Sequence, residues 1–313
     1  MDRSKLWAAL LAAVMLLALC SCGGQPVSGA SSDANESHPI SVTDMTGRKI
    51  VLEEPATRVV ALTAADCEIL YAIGAGGTLV GRGIYCDYPA EVLDVPSVQS
   101  GYDTNIEQIL ALEPQLLIMS TMAQSDEQVA QLEAAGVRVA VSDAKDIEGV
   151  YTAIELIGAL MGKDAQAAEV IGSMKNSFAE ITEKAAGRGG KTIYFEISPL
   201  EYGLWTAGAH TFMDEIAAML GLTNCFSDVE QYASVSEEQV LERDPDCIVT
   251  ITMYLGEGPT PDEEIMHRAG WEQVTAVQEG AVLNLQNDEL SRPAPRLADG
   301  ARLLCDFVYG DDA

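Results

Sequence analysis

From residue 40 onward the chain alternates between two kinds of apolar pattern. Short runs rich in Val, Ile and Leu stand at 40–43, 49–52, 59–62, 79–81, 116–120 and 137–141. Runs of that length and composition predict strands. The first two flank Asp44-Met45-Thr46-Gly47, whose Asp and Gly predict a tight turn between them. At 66–73, 106–112 and 127–135 the apolar residues take helical spacing. A second series follows: strand 192–197, helices 211–220 and 237–243, strands 247–252 and 281–285, and a closing helix over 296–309. Such alternation predicts parallel sheets covered by helices. The two series are separated by helical pattern over 147–186, interrupted only at Gly162-Lys163-Asp164, where Asp164 is placed to cap a new helix. A helix over 164–186 is about 34 Å long, enough to run along two lobes and hold them at a fixed distance.

The start of the chain follows another rule. Arg3 and Lys5 precede an apolar run over 6–19, too short to span a bilayer comfortably. It ends Leu19-Cys20-Ser21-Cys22-Gly23-Gly24, the form of a bacterial lipoprotein signal in which Cys22 is acylated and becomes the first mature residue. Ser21 before Cys22 is small, whereas Leu19 makes Cys20 the poorer candidate. The following residues up to 39 are rich in Gly, Ser, Asn and Pro and read as a tether between lipid and folded body. An anchored, extracytoplasmic protein is expected.

Charge removes whole classes of function. Of 313 residues 48 are acidic and 18 basic, a net charge of −30, which repels nucleic acid. The three histidines, His38, His210 and His267, lie far apart, His38 in the tether, so a histidine-rich metal centre is not expected. Five cysteines remain in the body, an odd number with no CxxC, which is neither a disulfide scaffold nor a zinc ribbon. Cys67, Cys247 and Cys305 fall within apolar patterns as core residues. No GxSxG or HExxH motif is present. Gly187–Thr192 imitates a phosphate loop but precedes its strand instead of following it. An enzyme is therefore not expected.

An internal repeat relates the two series. Asn105-Ile106-Glu107-Gln108-Ile109-Leu110 leads through Glu113-Pro114 into Leu116-Leu117-Ile118, and Ser236-Glu237-Glu238-Gln239-Val240-Leu241 leads through Asp244-Pro245 into Cys247-Ile248-Val249. Glutamate to proline is seven residues in each. Asn105 or Thr104, and Ser236, suit helix starts, and a first-turn glutamate faces the positive end of the dipole. A weaker echo, Glu68–Gly74 and Glu215–Gly221, precedes each copy.

With VTDMTGRKIVL (42–52), ADCEILYAIGAGGTLVG (65–81), YCDYP (85–89), NIEQILALEPQLLI (105–118), SEEQVLERDPDCIV (236–249) and RPAPRLADG (292–300), the chain resembles the substrate-binding proteins of ABC importers for metal chelates: cobalamin, ferric siderophores and haem. The resemblance covers about residues 40–310. It implies an α/β fold of two Rossmann-like lobes, each a mainly parallel sheet with flanking helices, joined by one long bridging helix. The expected segments are signal 1–21, tether 22–39, lobe 40–162, bridging helix 163–188 and lobe 189–313. Ligand would lie in the interlobe cleft, and Glu107 and Glu238, one per lobe, would dock on arginines of an ABC permease that works with its ATPase. YCDYP is more typical of the cobalamin binders. Their cleft tryptophans have no counterpart at Ser120-Thr121-Met122 or at Asp288-Glu289-Leu290. Tyr85, Tyr88 and Trp205 are the candidate aromatic walls; Arg292 and Arg296 follow the late loop, and Arg292 is the candidate partner for an anionic group of the chelate, the alternative being a structural salt bridge within a very acidic protein. A corrinoid leads, a siderophore or haem is the alternative, and no intrinsic cofactor is implied. A secreted enzyme and a structural surface lipoprotein are the readings from other classes.

Overall fold

The computed structural model describes residues 39–101, 104–121, 126–252, 254, 256, 258–285 and 288–310. The signal, Cys22 and the tether up to His38 lie outside the described residues, as does Met122.

The body opens with a hairpin, β1 (Ile40–Thr43) against β2 (Lys49–Leu52). Its turn is organised by the buried carboxylate of Asp44. Asp44 Oδ1 accepts from the backbone N–H of Thr46 and Arg48 at 3.0 and 2.8 Å, while Oδ2 accepts from Val141 N at 3.1 Å. One side chain thus shapes the turn and fastens the hairpin to the sheet behind it.

That sheet is built from β3 (Val59–Ala61), followed by α1 (Ala64–Ala72), then β4 (Leu79–Gly83), β5 (Ser97–Val98), α2 (Ile106–Ala111), β6 (Leu116–Met119), α3 (Asp126–Ala134) and β7 (Arg138–Val141). Its order is β5-β4-β3-β6-β7, and every pairing is parallel. β3 and β6 are buried at every position, as a sheet covered on both faces requires.

Two helices follow, α4 (Ile147–Leu160) and α5 (Asp164–Ala185). The chain breaks between them at Gly162, whose φ of +62° is left-handed and whose added Cβ would stand 2.8 Å from Pro55 Cγ. Asp164 does not cap α5 as the sequence suggests: Lys163 holds the cap position without a side-chain hydrogen bond, and Asp164 is the first helical residue. The 22 residues of α5 span about 33 Å. Ala167, Ile171, Met174, Phe178, Ile181 and Ala185 form its single buried stripe.

The second sheet comprises β8 (Thr192–Ser198), β9 (Trp205–Ala207), β10 (Thr223–Asn224), β11 (Tyr232–Ser234), β12 (Cys247–Thr250) and β13 (Val282–Asn284). Interspersed are α6 (Phe212–Met219), α7 (Glu237–Arg243), α8 (Pro261–Met266), α9 (Thr275–Glu279) and the closing α10 (Leu297–Tyr309). The order is β11-β9-β8-β12-β13, with β10 also paired to β8. β8, β12 and β13 run parallel, whereas β9 and β11 add an antiparallel edge that the apolar pattern did not announce.

One apolar cluster passes from the first sheet through α4 and α5 into the second, taking in Ile69, Ile154, Met174, Phe195 and Leu304. Each sheet has a separate cluster on its other face, around Val60 and Leu117 in one and Tyr194, Ile248 and Trp271 in the other. The two lobes share a continuous packed spine, not a pair of flexible strands, and close-packed interiors resist wide hinging.

Candidate functional site

In open α/β sheets, ligand sites form beyond the carboxyl ends of the strands. In the first sheet the ends of β3 and β4 open into α1 and into the loop carrying Tyr85–Pro89. Thr63 caps α1 by accepting from Asp66 N at 3.1 Å and donates its hydroxyl to Asp66 Oδ2 at 2.5 Å. Asp66 is fully buried, which pushes its carboxyl up to about 6 against the opposing hydrogen bonds of Thr63 and Ser142. One turn of helix is thereby fixed, and the next side chain on it with work to do is Glu68.

Glu68 is the centre of an ionic clasp between the two halves of the molecule. Its side chain is only 2% exposed. Arg296, at the start of α10, grips it with Nε to Oε2 at 2.9 Å and Nη2 to Oε1 at 2.7 Å. Arg292 Nη1 adds a bond to Oε1 at 3.1 Å and reaches Asp87 Oδ1 at 2.7 Å. Arg292 Nη2 is held by Asp288 at 2.5 Å and approaches the carbonyl of Tyr85 at 3.4 Å. Arg296 also meets Glu289 at 3.2 Å, and its guanidinium lies 3.8 Å from the centre of the Tyr88 ring. Burial alone would lower the affinity of either arginine for its proton; the surrounding carboxylates more than reverse that, so both stay charged.

The structure thus brings together three residues singled out in the sequence. Tyr85 and Tyr88 stand 67% and 45% exposed on the loop that Arg292 and Arg296 hold. Arg292 is a shared partner of several acids rather than an unengaged guanidinium. Trp205 is also exposed, on β9, where it pairs in register with Ser198 and Ser234. Trp271, in contrast, is fully buried in the core of the second sheet. Glu68, Asp87 and Arg296 as a clasp were missed. The available signal was the echo of Glu68 in Glu215: Glu215 Oε2 accepts from Ile147 N, the first residue of α4, at 2.9 Å. Glu68 therefore reaches from its own helix into the second series, and Glu215 reaches from its own helix to the start of the helical stretch that separates the two series.

The paired glutamates lie on short, well-capped helices. Asn105 accepts from Gln108 N at 3.0 Å to start α2, and Ser236 and Gln239 form a reciprocal box at the start of α7. Glu107 and Glu238 are both exposed. Glu238 is held below the usual carboxylate range by its own backbone N–H and then by Ser236. Its neighbour Glu237 instead accepts from Trp271 Nε1 at 3.0 Å. The Trp271 ring lies 4.3 Å from the guanidinium of Arg268, which pairs with Glu196 at 2.8 and 2.9 Å, both side chains 2% exposed. Burial pushes the Glu196 carboxyl up, while Arg268 remains charged. This inner chain fixes α7 to the floor of the second sheet and leaves Glu238 facing outward.

A cavity of about 590 Å³ lies along α5, lined by Glu68, Tyr71, Tyr88, Met174, Pro295 and Arg296 among others. It touches neither Tyr85 nor Trp205, and it lies on the helical side of the clasp. The strand ends are the better ligand site on topological grounds. Among the described residues no group of three or more His, Cys, Asp and Glu side chains is placed to hold a metal ion. No helix among them is long and apolar enough to cross a membrane.

Two α/β lobes on a shared helical spine, meeting at a seam lined by aromatic and charged side chains, define the class of two-lobe binding proteins. The chain belongs to the periplasmic binding protein family, whose profile matches residues 59–289. It is 30% identical over 315 residues to YvrC of Bacillus subtilis, an ABC transporter substrate-binding lipoprotein by name, with 99% of this chain and 98% of that one covered. It is 28% identical to the vitamin B12-binding protein of Vibrio cholerae, over 81% of this chain and 90% of that one. A solved haem-binding protein of Vibrio cholerae, HutB, has the same fold, with a TM-score of 0.73 at 21% identity over 81% of this chain and 99% of that one.

Proposed function

We propose that this protein is an extracytoplasmic receptor of an ABC importer, which captures a metal chelate in the seam between its lobes and delivers it to a permease. The observation that carries the reading is the seam itself: exposed Tyr85 and Tyr88 on a loop held across the lobes by Arg292 and Arg296. Aromatic faces suit a large flat ligand, and a guanidinium can exchange a carboxylate of the protein for one on the ligand. Tyr85, Tyr88, Trp205 and Arg292 are the proposed contacts. The chelate is cargo, and no resident cofactor is invoked.

A corrinoid is the first choice, supported by the Tyr85–Pro89 motif and by the relative named for vitamin B12. Haem or a ferric siderophore is the second, supported by the shared fold of the haem-binding neighbour. Glu107 and Glu238 are the proposed docking charges, and Cys22 the proposed site of lipid attachment. Residues 40–162 and 189–313 are the proposed lobes, with 163–188 as the bridge. Absorbance spectra of the purified chain with cyanocobalamin, haemin and ferric siderophores in turn test the ligand class. A shifted chelate band that co-elutes with protein is expected for one of them. A chain that leaves all three spectra unchanged and co-elutes with none speaks for the enzyme or structural reading.

A further inference from the structure

We propose that Cys67 and Cys86 are the two halves of a structural disulfide that ties α1 to the loop bearing Tyr85, Asp87 and Tyr88. Both residues are 0% exposed. Cys67 Sγ rests 3.9 Å from the carbonyl of Ala61, the last residue of β3. Cys86 N donates to the carbonyl of Gly83, the last residue of β4, at 3.1 Å. β3 and β4 are neighbours, and Gly83 is so close to the end of β3 that an added Cβ would stand 2.1 Å from Leu62 O. The two residues therefore converge on adjacent strand ends, where each carries a free thiol in this structure. Cys247, by comparison, turns its sulfur to Thr192 O at 3.4 Å. An odd cysteine count excludes full pairing of the body but not one buried pair.

The inference rests on the extracytoplasmic reading, because disulfides persist in oxidising compartments. The chemistry needs a disulfide donor, small-molecule or protein-borne. One cysteine thiolate attacks a donor sulfur, forming a mixed disulfide and releasing one donor thiol. The second cysteine thiolate then attacks the mixed disulfide at the protein sulfur and releases the other donor thiol. The two cysteines give up two protons and two electrons, and the donor disulfide leaves as two thiols. The exchange belongs to folding rather than to the finished protein, since contact with Cys86 and burial together push the folded Cys67 thiol far up and deprive it of reactive thiolate. Once closed, the link would hold Glu68, one residue from Cys67, in register with Asp87, one residue from Cys86. These are two of the acids that receive Arg292.

The test is peptide mapping of the full chain, exported under its own leader and isolated in acid-quenched, alkylating buffer without reductant. The expected result is a linked pair of peptides containing Cys67 and Cys86, lighter by two hydrogens than their sum, with Cys225, Cys247 and Cys305 alkylated. Full alkylation of both Cys67 and Cys86, or a link from either to a different cysteine, overturns the proposal. As a second measurement, a Cys67→Ser, Cys86→Ser double variant should melt about 6 °C below the oxidised chain and together with the chain refolded under reductant. Melting equal to that of the untreated chain would count against the link. Failure of chelate binding leaves the mapping result intact, so the two readings fail separately.

Discussion

Replacing Glu68 by glutamine keeps the shape of the side chain and removes the charge that two arginines share. Glu68 receives three N–H bonds, at 2.7, 2.9 and 3.1 Å, and is 2% exposed, so solvent cannot replace what is lost. Removing one member of a buried ion pair costs about 3–5 kcal/mol. Both arginines keep other acids, Arg292 with Asp87 and Asp288 and Arg296 with Glu289, which places the loss near the lower end, about 3 kcal/mol. For a chain of this size that lowers the melting temperature by about 6 °C or more. Calorimetry at neutral pH in low and high salt is the assay. The loss should persist in high salt, because the pair is largely shielded from water. A loss below about 1 kcal/mol, or one that disappears with salt, would place the clasp among exposed ion pairs and refute the reasoning.

Asp66→Asn should change how stability varies with pH. The Asp66 carboxyl lies at about 6 in the folded chain against an ordinary 3.8, so its contribution is complete below 3.8 and is lost as pH rises through about 6. The variant should therefore gain about 3 kcal/mol on the parent between acid and alkaline conditions by urea unfolding; parallel pH profiles would sink this assignment. Glu107→Ala with Glu238→Ala should leave chelate binding near that of the parent and abolish or severely weaken uptake by whole cells, and normal uptake would exclude a docking role. Cys22→Ala should move the protein from the membrane to the released fraction; a variant still sedimenting with membranes would be incompatible with lipid attachment at that residue. Small-angle scattering should show little compaction when chelate is added, since both lobes share the α4–α5 spine, and a large decrease in radius would contradict that packing.

How far the sequence carried depended on whether information was local. The strands buried on both faces, such as Leu116–Met119 and Cys247–Thr250, are continuous apolar runs and were legible directly. So were the capped starts of α2 and α7, where cap and first-turn acid lie within four residues. The antiparallel edge was not legible. Trp205–Ala207 and Tyr232–Ser234 are three residues each, too short to display alternation, and they become strands only by pairing with each other and with β8. The clasp was hidden for a different reason. Glu68 stands within an apolar helical stretch, and its arginines are 224 and 228 residues away in the chain. Arg292 was legible as a candidate because it follows the late loop, and a salt bridge was the alternative weighed for it, yet nothing local revealed which acids of both lobes share its charge. Tyr85 and Tyr88 were visible through their motif, while the stacking of Arg296 on the Tyr88 ring was not.

The central claim is that the seam binds a metal chelate, and equilibrium titration tests it most directly. The purified chain is titrated with cyanocobalamin, haemin and a ferric siderophore, each followed through the absorbance of the chelate, alongside a Tyr85→Ser, Tyr88→Ser variant. The account predicts saturable one-to-one binding of one chelate, on the order of 1 μM or tighter, and weakening by about tenfold or more in the variant. Absence of saturable binding for all three, or tight binding untouched by loss of both tyrosines, would contradict it.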